Sequence, residues 1–251
     1  MTLRILTYNI RGLPWISCPI DDILSWISKR KCDIVCLQEV FTRRLQLAIE
    51  SQDEWNVFFS KGTTYIGHAA GFYSGAGLCI LVRRDLKILG ESTFMPFTDA
   101  GGVDRFVSKG LLHVPIEVHG QRIDILNTHF QSDYTEFPCF RINYPAVRFN
   151  QEKQADLFCQ KYQFPLLCGD LNQESFHYFE KFDDTDNITF PETGEHLDHL
   201  LYSSDADDAF LNKKTTYFHT IKLSDHIPVL YEFELKSHYI HHDTLDTKYS
   251  S

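Results

Sequence analysis

Asp225 and His226 stand side by side at the mouth of an apolar run, Ile227 to Leu235. A titratable pair where a core strand begins is costly unless it is partnered or engaged in chemistry. Alone, such a dipeptide reads as a turn cap beside a hydrogen-bonded histidine. Here the pattern recurs, because four other strand-like runs end in Tyr8-Asn9, Gln38-Glu39, Asn127-Thr128-His129 and Gly169-Asp170-Leu171-Asn172, and Asp198 opens another. Carboxylates and carboxamides together favour a hard cation such as Mg²⁺, with Mn²⁺ as a substitute. Zinc would recruit cysteines, whereas Cys36, Cys79 and Cys168 lie inside apolar runs. The histidines are then left for proton transfer and phosphate contact. A divalent ion beside a histidine base suits attack of water on a phosphoester.

These residues can meet only if the strands share an edge. Leu3 to Ile10 alternates and reads as a strand, Pro19 to Lys31 as a helix with Asp21 and Asp22 at its positive end, and Asp33 to Gln38 as a buried strand. A strand–helix–strand order is a parallel crossover unit, which brings Asn9 and Glu39 to the same edge. A second helix is expected from Thr42, its N-cap, to Ser51. Trp55 to Ser60 reads as a strand, followed by a glycine-rich loop with Tyr65, Phe72 and Tyr73. Further strands are expected at Leu78–Arg83, Leu86–Phe97, Leu111–Val118 and Arg122–Thr128, the last two joined by a hairpin at His119-Gly120. Pro145 to Tyr162 predicts a helix, Phe164 to Cys168 a strand, and Glu174 to Phe182 a short helix. Leu197–Tyr202, Thr215–Ile221 and Ile227–Leu235 complete the strands. The sequence has no linker or repeat, so one domain over 1–236 and a polar tail over 237–251 are expected.

The 251 residues carry 24 Lys+Arg against 34 Asp+Glu, a formal net charge of −10. That balance disfavours a protein whose main task is gripping a nucleic-acid backbone. Seven cysteines form no disulfide or zinc pattern, which fits a reducing compartment. No apolar run reaches the roughly 18 residues of a membrane span. The expected location is cytoplasmic, with peripheral membrane contact through the aromatic stretches Tyr65–Tyr73 and Tyr134–Phe149, and without an obligate protein partner.

Thr7-Tyr8-Asn9, Leu37-Gln38-Glu39-Val40, Asn127-Thr128-His129, Gly169-Asp170-Leu171-Asn172, Leu197-Asp198-His199 and Ser224-Asp225-His226 resemble the endonuclease/exonuclease/phosphatase superfamily. The matches run in that superfamily's order over nearly the whole chain. Gly75-x-Gly77, Arg105-Phe106-Val107-Ser108-Lys109-Gly110 and Arg148-x-x-Gln151 resemble its neutral sphingomyelinase branch. The resemblance implies a deoxyribonuclease I-like α/β fold, a four-layer sandwich of two packed mixed β-sheets flanked by helices. It also implies a divalent-metal-dependent phosphodiesterase cleaving a phospholipid, sphingomyelin first, to ceramide and phosphocholine. In that reading Glu39 and Asn9 hold the metal, His226 is the general base oriented by Asp198, and Asp170 positions the water. Asn172 and His129 bind phosphoryl oxygens, Asp225 completes the charge network near His129 or the metal, and Lys109 and Arg148 bind substrate. The alternatives are a Mg²⁺-dependent nuclease acting on DNA, a phosphoinositide phosphatase, and, of another class, an inactive binding module.

Overall fold

The computed structural model describes residues 2–61, 75–134, 142–183, 185 and 187–236, apart from the side chains of 205, 207 and 208. Most of the glycine-rich loop, part of the second aromatic stretch and the tail over 237–251 lie outside the described residues.

Alternation along the strands builds two sheets. The first has six strands, in the order β12 (Phe210–Tyr217), β13 (Val229–Leu235), β1 (Leu3–Asn9), β2 (Ile34–Gln38), β4 (Cys79–Arg83) and β3 (Trp55–Phe59). The second has seven, in the order β10 (Glu180–Lys181), β11 (Asp198–Tyr202), β9 (Pro165–Asp170), β8 (Gln121–His129), β7 (Gly110–Val118) and β5 (Lys87–Ile88), with β6 (Thr93–Pro96) also on β7. In the first sheet β1 (Leu3–Asn9) runs parallel to β2 (Ile34–Gln38) and antiparallel to β13 (Val229–Leu235). In the second, β8 (Gln121–His129) and β9 (Pro165–Asp170) are parallel, and β11 (Asp198–Tyr202) is antiparallel to β9. Each parallel pair needs a crossover, and α1 (Ile20–Ser28) and α3 (Tyr144–Cys159) supply them.

Because successive side chains point to opposite faces, each strand feeds two cores. Leu3 and Ile5, Ile34 and Cys36, Ile123 and Ile125, and Leu166 and Cys168 pack between the sheets. Their neighbours Leu6, Tyr8, Val35 and Leu37 pack on α1 and α2 (Arg43–Glu50), and Leu126 and Leu167 pack on Ala155, Phe158 and Cys159 of α3. The result is helix, sheet, sheet, helix. At one end the inward positions turn polar, and there Gln38 donates to the Asn127 oxygen at 2.8 Å. Asn127 in turn donates to the carbonyls of Leu37 and Cys79. This amide pair ties the two sheets together.

Three expected elements differ. The strand over Leu86–Phe97 is two short ones, β5 (Lys87–Ile88) and β6 (Thr93–Pro96), both on β7 (Gly110–Val118). Between them Leu89 faces Pro115, which has no N–H to continue the ladder. Glu174–Phe182 is not helical, because the buried Glu152 carboxylate of α3 accepts the backbone N–H groups of His177 and Tyr178. The strand expected at Thr215–Ile221 is β12 (Phe210–Tyr217), an edge strand with a register shift between Leu211 and Lys214. The Thr42 cap is present, accepting from Leu45 N at 3.4 Å, and His119 and Gly120 take the positive φ values of the expected hairpin turn. The six described cysteines, Cys18, Cys32, Cys36, Cys79, Cys159 and Cys168, are buried free thiols. Among the described residues no helix is long and apolar enough to cross a membrane.

Candidate active site

The polar end of the inter-sheet layer gathers the residues singled out above. Odd-numbered Asn9, Asn127 and His129 and even-numbered Asp170 and Asp198 continue the inward-facing positions of their strands, so the strand period alone aims them into one space. β9 and β11 are registered so that Asp170 lies opposite Asp198, and β8 and β9 so that His129 lies beside Asp170. The Asp170 Oδ2 atom is 3.5 Å from Nε2 of both His129 and His226. His226, three residues before β13, turns its other nitrogen to Asp198, with Nδ1 2.8 Å from Oδ2. Asp198 is fixed from behind, since its N–H donates to Thr189 Oγ1 and its carbonyl accepts from Tyr231.

Two backbone features make the close approach workable. Gly169 has φ 148°, and a Cβ there would sit 2.0 Å from the Thr128 carbonyl oxygen, so glycine is required. Glu39 adopts a left-handed φ of 60° just past the end of β2, a strained conformation of the kind that persists at functional sites.

Electrostatics divides the cluster. Burial opposes charge on His226, but Asp198 and Asp170 outweigh it and hold the imidazole up at about 10. His129 goes the other way, pushed down to about 3 by burial and by Lys109. One histidine is therefore cationic and the other neutral at neutral pH. Burial pushes Glu39 up to about 7 against the Asn9 hydrogen bond that favours its anion.

The donor set fits a hard cation. Glu39 Oε2 is buried without a hydrogen-bond partner, an arrangement that costs free energy until something positive occupies it. Asp170, Asp198 and His226 also offer ligand atoms within 4.8 Å of one another.

Several assignments change in position. Asn9 donates its amide to both Glu39 (3.1 Å) and Asp170 (3.0 Å), while its oxygen accepts from the Arg11 N–H. A flipped amide would set its NH₂ against that N–H and its oxygen against two carboxylates. Asn9 thus bridges the two acids through its amide nitrogen. Asp225 faces neither His129 nor the acid pair, because it pairs with Arg11 at 3.0 Å and accepts from Ser224 Oγ. Ser224 also donates to the Asn9 carbonyl, so the Ser224–His226 loop is latched to β1. Arg148 is committed to Asp133 and the Gln131 carbonyl, so it positions the segment after β8 and does not present its charge to a ligand.

Lys109 is buried, donating to the Phe130 carbonyl at 2.8 Å and lying 3.3 Å from Asp104. Asn172 donates to the same carbonyl and to Ser132 Oγ. Both lie with His129 around one side of the cluster. The composition gave no sign of Asp104, which also accepts from Tyr134 and from the Ser132 N–H. It missed as well an apolar cavity of about 370 Å³ beside Glu39, Lys109 and His129. Its walls come from four separate segments, so no local pattern announces it.

The Asp198–His226 pair, the neutral His129 and the Glu39 oxygen left without a hydrogen-bond partner are the chemistry that metal-assisted attack on a phosphoester calls for. The chain belongs to the Endonuclease/Exonuclease/phosphatase family, whose model matches residues 6–226. No curated protein sequence matches it. Among solved structures it is similar in fold to SmcL, at 18% identity over 93% of this chain and 99% of that one, with TM-score 0.70. It is similar to Danio rerio TDP2 complexed with single-strand DNA product, at 15% identity, 93% and 99% coverage and TM-score 0.71. Sphingomyelinase C from Streptomyces griseocarneus is also similar, at 21% identity, 92% and 99% coverage and TM-score 0.63.

Proposed function

We propose that the chain is a Mg²⁺-dependent phospholipid phosphodiesterase, with sphingomyelin as first substrate and ceramide and phosphocholine as products; Mn²⁺ would substitute. The observation that carries this reading is the apolar cavity opening directly beside the phosphoryl-handling residues. A nuclease site would be expected to offer cationic contacts there for successive phosphates. The net charge of −10 points the same way.

Glu39, with Asp170 beside it, would hold the cation, which would supply charge neutralisation at the phosphoryl and leaving oxygens. His226 Nε2 and Asp170 Oδ2, 3.5 Å apart, form the place where water is held and loses its proton. Asp198 on Nδ1 fixes the imidazole's orientation and stabilises the imidazolium it becomes. Without a cation Asp198 and Asp170 keep His226 protonated; a cation held among the same carboxylates would weaken that hold and leave Nε2 able to accept. His129 would contact the phosphoryl oxygens, where negative charge grows. Lys109 would add its positive charge from its seat on the Phe130 carbonyl and Asp104, with Asn172 holding the same carbonyl and Ser132 in place.

Fold likeness to TDP2 bound to a DNA product keeps a nuclease as the second reading. The chain is best assayed for phosphocholine release from sphingomyelin vesicles and for plasmid nicking, at matched Mg²⁺ and low salt. Phosphocholine release abolished by chelation is expected. Nicking without lipid hydrolysis would replace this reading with the nuclease.

Protein without detectable hydrolysis of either substrate, with or without metal, would leave a binding module. The proposed setting is cytoplasmic, with peripheral contact at a membrane surface.

A further inference from the structure

The cavity beside Glu39 has a sidedness that the reaction can use. Among the described residues Glu39, Lys109 and His129 line it, whereas Asp170, Asp198 and His226 do not. The cavity thus opens among the residues assigned to the cation and the phosphoryl oxygens and not among those assigned to the attacking water. Displacement at phosphorus is in line, with the entering and leaving oxygens opposed. We propose that the cavity receives the carbon skeleton of the leaving alcohol, making the enzyme selective for phosphodiesters whose leaving group is apolar next to the scissile oxygen.

This rests on the hydrolase reading above and adds an orientation to it. The water oxygen forms the new P–O bond and its proton passes to His226. The P–O bond to the alcohol breaks with its electron pair on the departing oxygen, which takes a proton from solvent as it leaves. The other ester stays on phosphorus and projects away from the cavity.

The walls agree with an uncharged occupant. Leu13, Trp15, Phe41, Val103, Phe106 and Val107 supply the apolar surface. Phe41 and Val107 are buried and packed together with Leu13, forming a fixed floor. Trp15 and Phe106 are 67% and 43% exposed, so the mouth is aromatic and wet on its outer side. Aromatic residues in such a position suit a lipid–water boundary. The one acid in the wall besides Glu39, Asp104, is already engaged by Lys109, Tyr134 and the Ser132 N–H. A quaternary ammonium placed here would meet Lys109 and the cation held by Glu39 without a free anion to balance it. An alkyl chain meets no such conflict.

Methyl-, butyl- and octylphosphocholine, below their micellar concentrations, test the assignment. Calorimetric titration of metal-free protein should show affinity rising about fourfold for each methylene buried, following roughly 0.8 kcal/mol per CH₂. Val103 is half-buried, so Val103→Trp should fill the cavity and flatten that dependence on chain length. Phe106→Ala and Trp15→Ala, at exposed positions, should each reduce the slope should Val103→Trp not fold. With Mg²⁺, octylphosphocholine should yield phosphocholine and octanol by phosphorus NMR. Affinity independent of chain length, or a slope unchanged in all three variants, overturns the proposal. Octyl phosphate and choline as products also overturn it, because choline would then be the leaving group. A preserved slope, lost in the variants, with sphingomyelin left intact would retain the cavity assignment and discard the sphingomyelin reading.

Discussion

Replacing Asp198 by Asn tests the heart of the site, because the two side chains are nearly isosteric and only charge and tautomer change. Asp198 is buried, its Oδ2 lies 2.8 Å from His226 Nδ1, and its backbone is anchored by Thr189 and Tyr231. The fold should survive. An opposite charge within about 4–6 Å moves a pKa by 1–3 units. The His226 imidazole, now held at about 10, should fall by that amount in metal-free Asp198→Asn, with Asp170 still supporting it. At about 1.4 kcal/mol per unit, the loss is roughly 1.4–4 kcal/mol of stability. The sign follows from linkage: a histidine raised from 6.5 to about 10 contributes its full stabilisation below pH 6.5 and loses it as pH rises through 10. Wild type and variant should therefore differ most at and below pH 6.5 and converge above pH 10. Imidazole carbon shifts measure the titration, and urea melts across that pH range measure the gap. Turnover should fall about 10²–10⁴-fold, the usual contribution of a general base. An unchanged His226 titration would refute the electrostatic argument. Unchanged turnover would refute the orienting role.

Glu39→Gln should weaken divalent-metal dependence in activity titrations, since an amide lacks the charge a hard cation needs. The same substitution should stabilise the metal-free protein above pH 7. Wild-type Glu39, raised from 4.5 to about 7, binds a proton when folded that the unfolded chain has released, so its folded state loses stability as pH climbs from 4.5 through 7. Arg148→Gln should lower the melting temperature while leaving KM for a soluble phosphodiester nearly unchanged; a KM effect without thermal loss would return Arg148 to substrate binding. Asn127→Leu removes the donor to the Leu37 and Cys79 carbonyls and the acceptor of Gln38, and should cost a few kcal/mol in urea melts at about 1–3 kcal/mol per unsatisfied buried group.

How much of this the sequence disclosed follows from which forces are local. Positions at the ends of strand-like runs marked Asn9, His129, Asp170 and Asp198 as sharing one sheet edge, and crossover geometry brought Asn9 and Glu39 together, now 3.1 Å apart. Strand ends and crossover handedness need no knowledge of the partner strand. The failures involve partners distant in the chain. The break at Pro115 acts on β5 and β6 from another strand, and Glu152 strips a would-be helix of its N–H groups from across a layer. The residue type of Asn9 gave no sign of its bridge between Glu39 and Asp170, or of the Arg11 N–H that its oxygen accepts. Arg148 offered a charge in the sequence and, in the fold, spends it on Asp133. The cavity was invisible for the same reason, since Leu13, Phe41 and Val107 meet only in three dimensions.

Neither sheet carries the chemistry by itself. Asn9 ends and Glu39 follows strands of the first, and His226 precedes another, whereas strands of the second bear His129, Asp170 and Asp198. The hydrogen bond from Asn9 to Asp170 and the pairing of His226 with Asp198 both span the gap between sheets. The two halves work as the jaws of a caliper, with the Gln38–Asn127 amide pair as its pivot. A slip of one residue along a strand, about 3.3 Å, exceeds the tolerance of every contact in the jaws. Turnover is then a sensor of inter-sheet alignment. Mild denaturant should silence the enzyme while its strands and helices persist, because catalysis ends when the jaws lose register and not when the layers come apart.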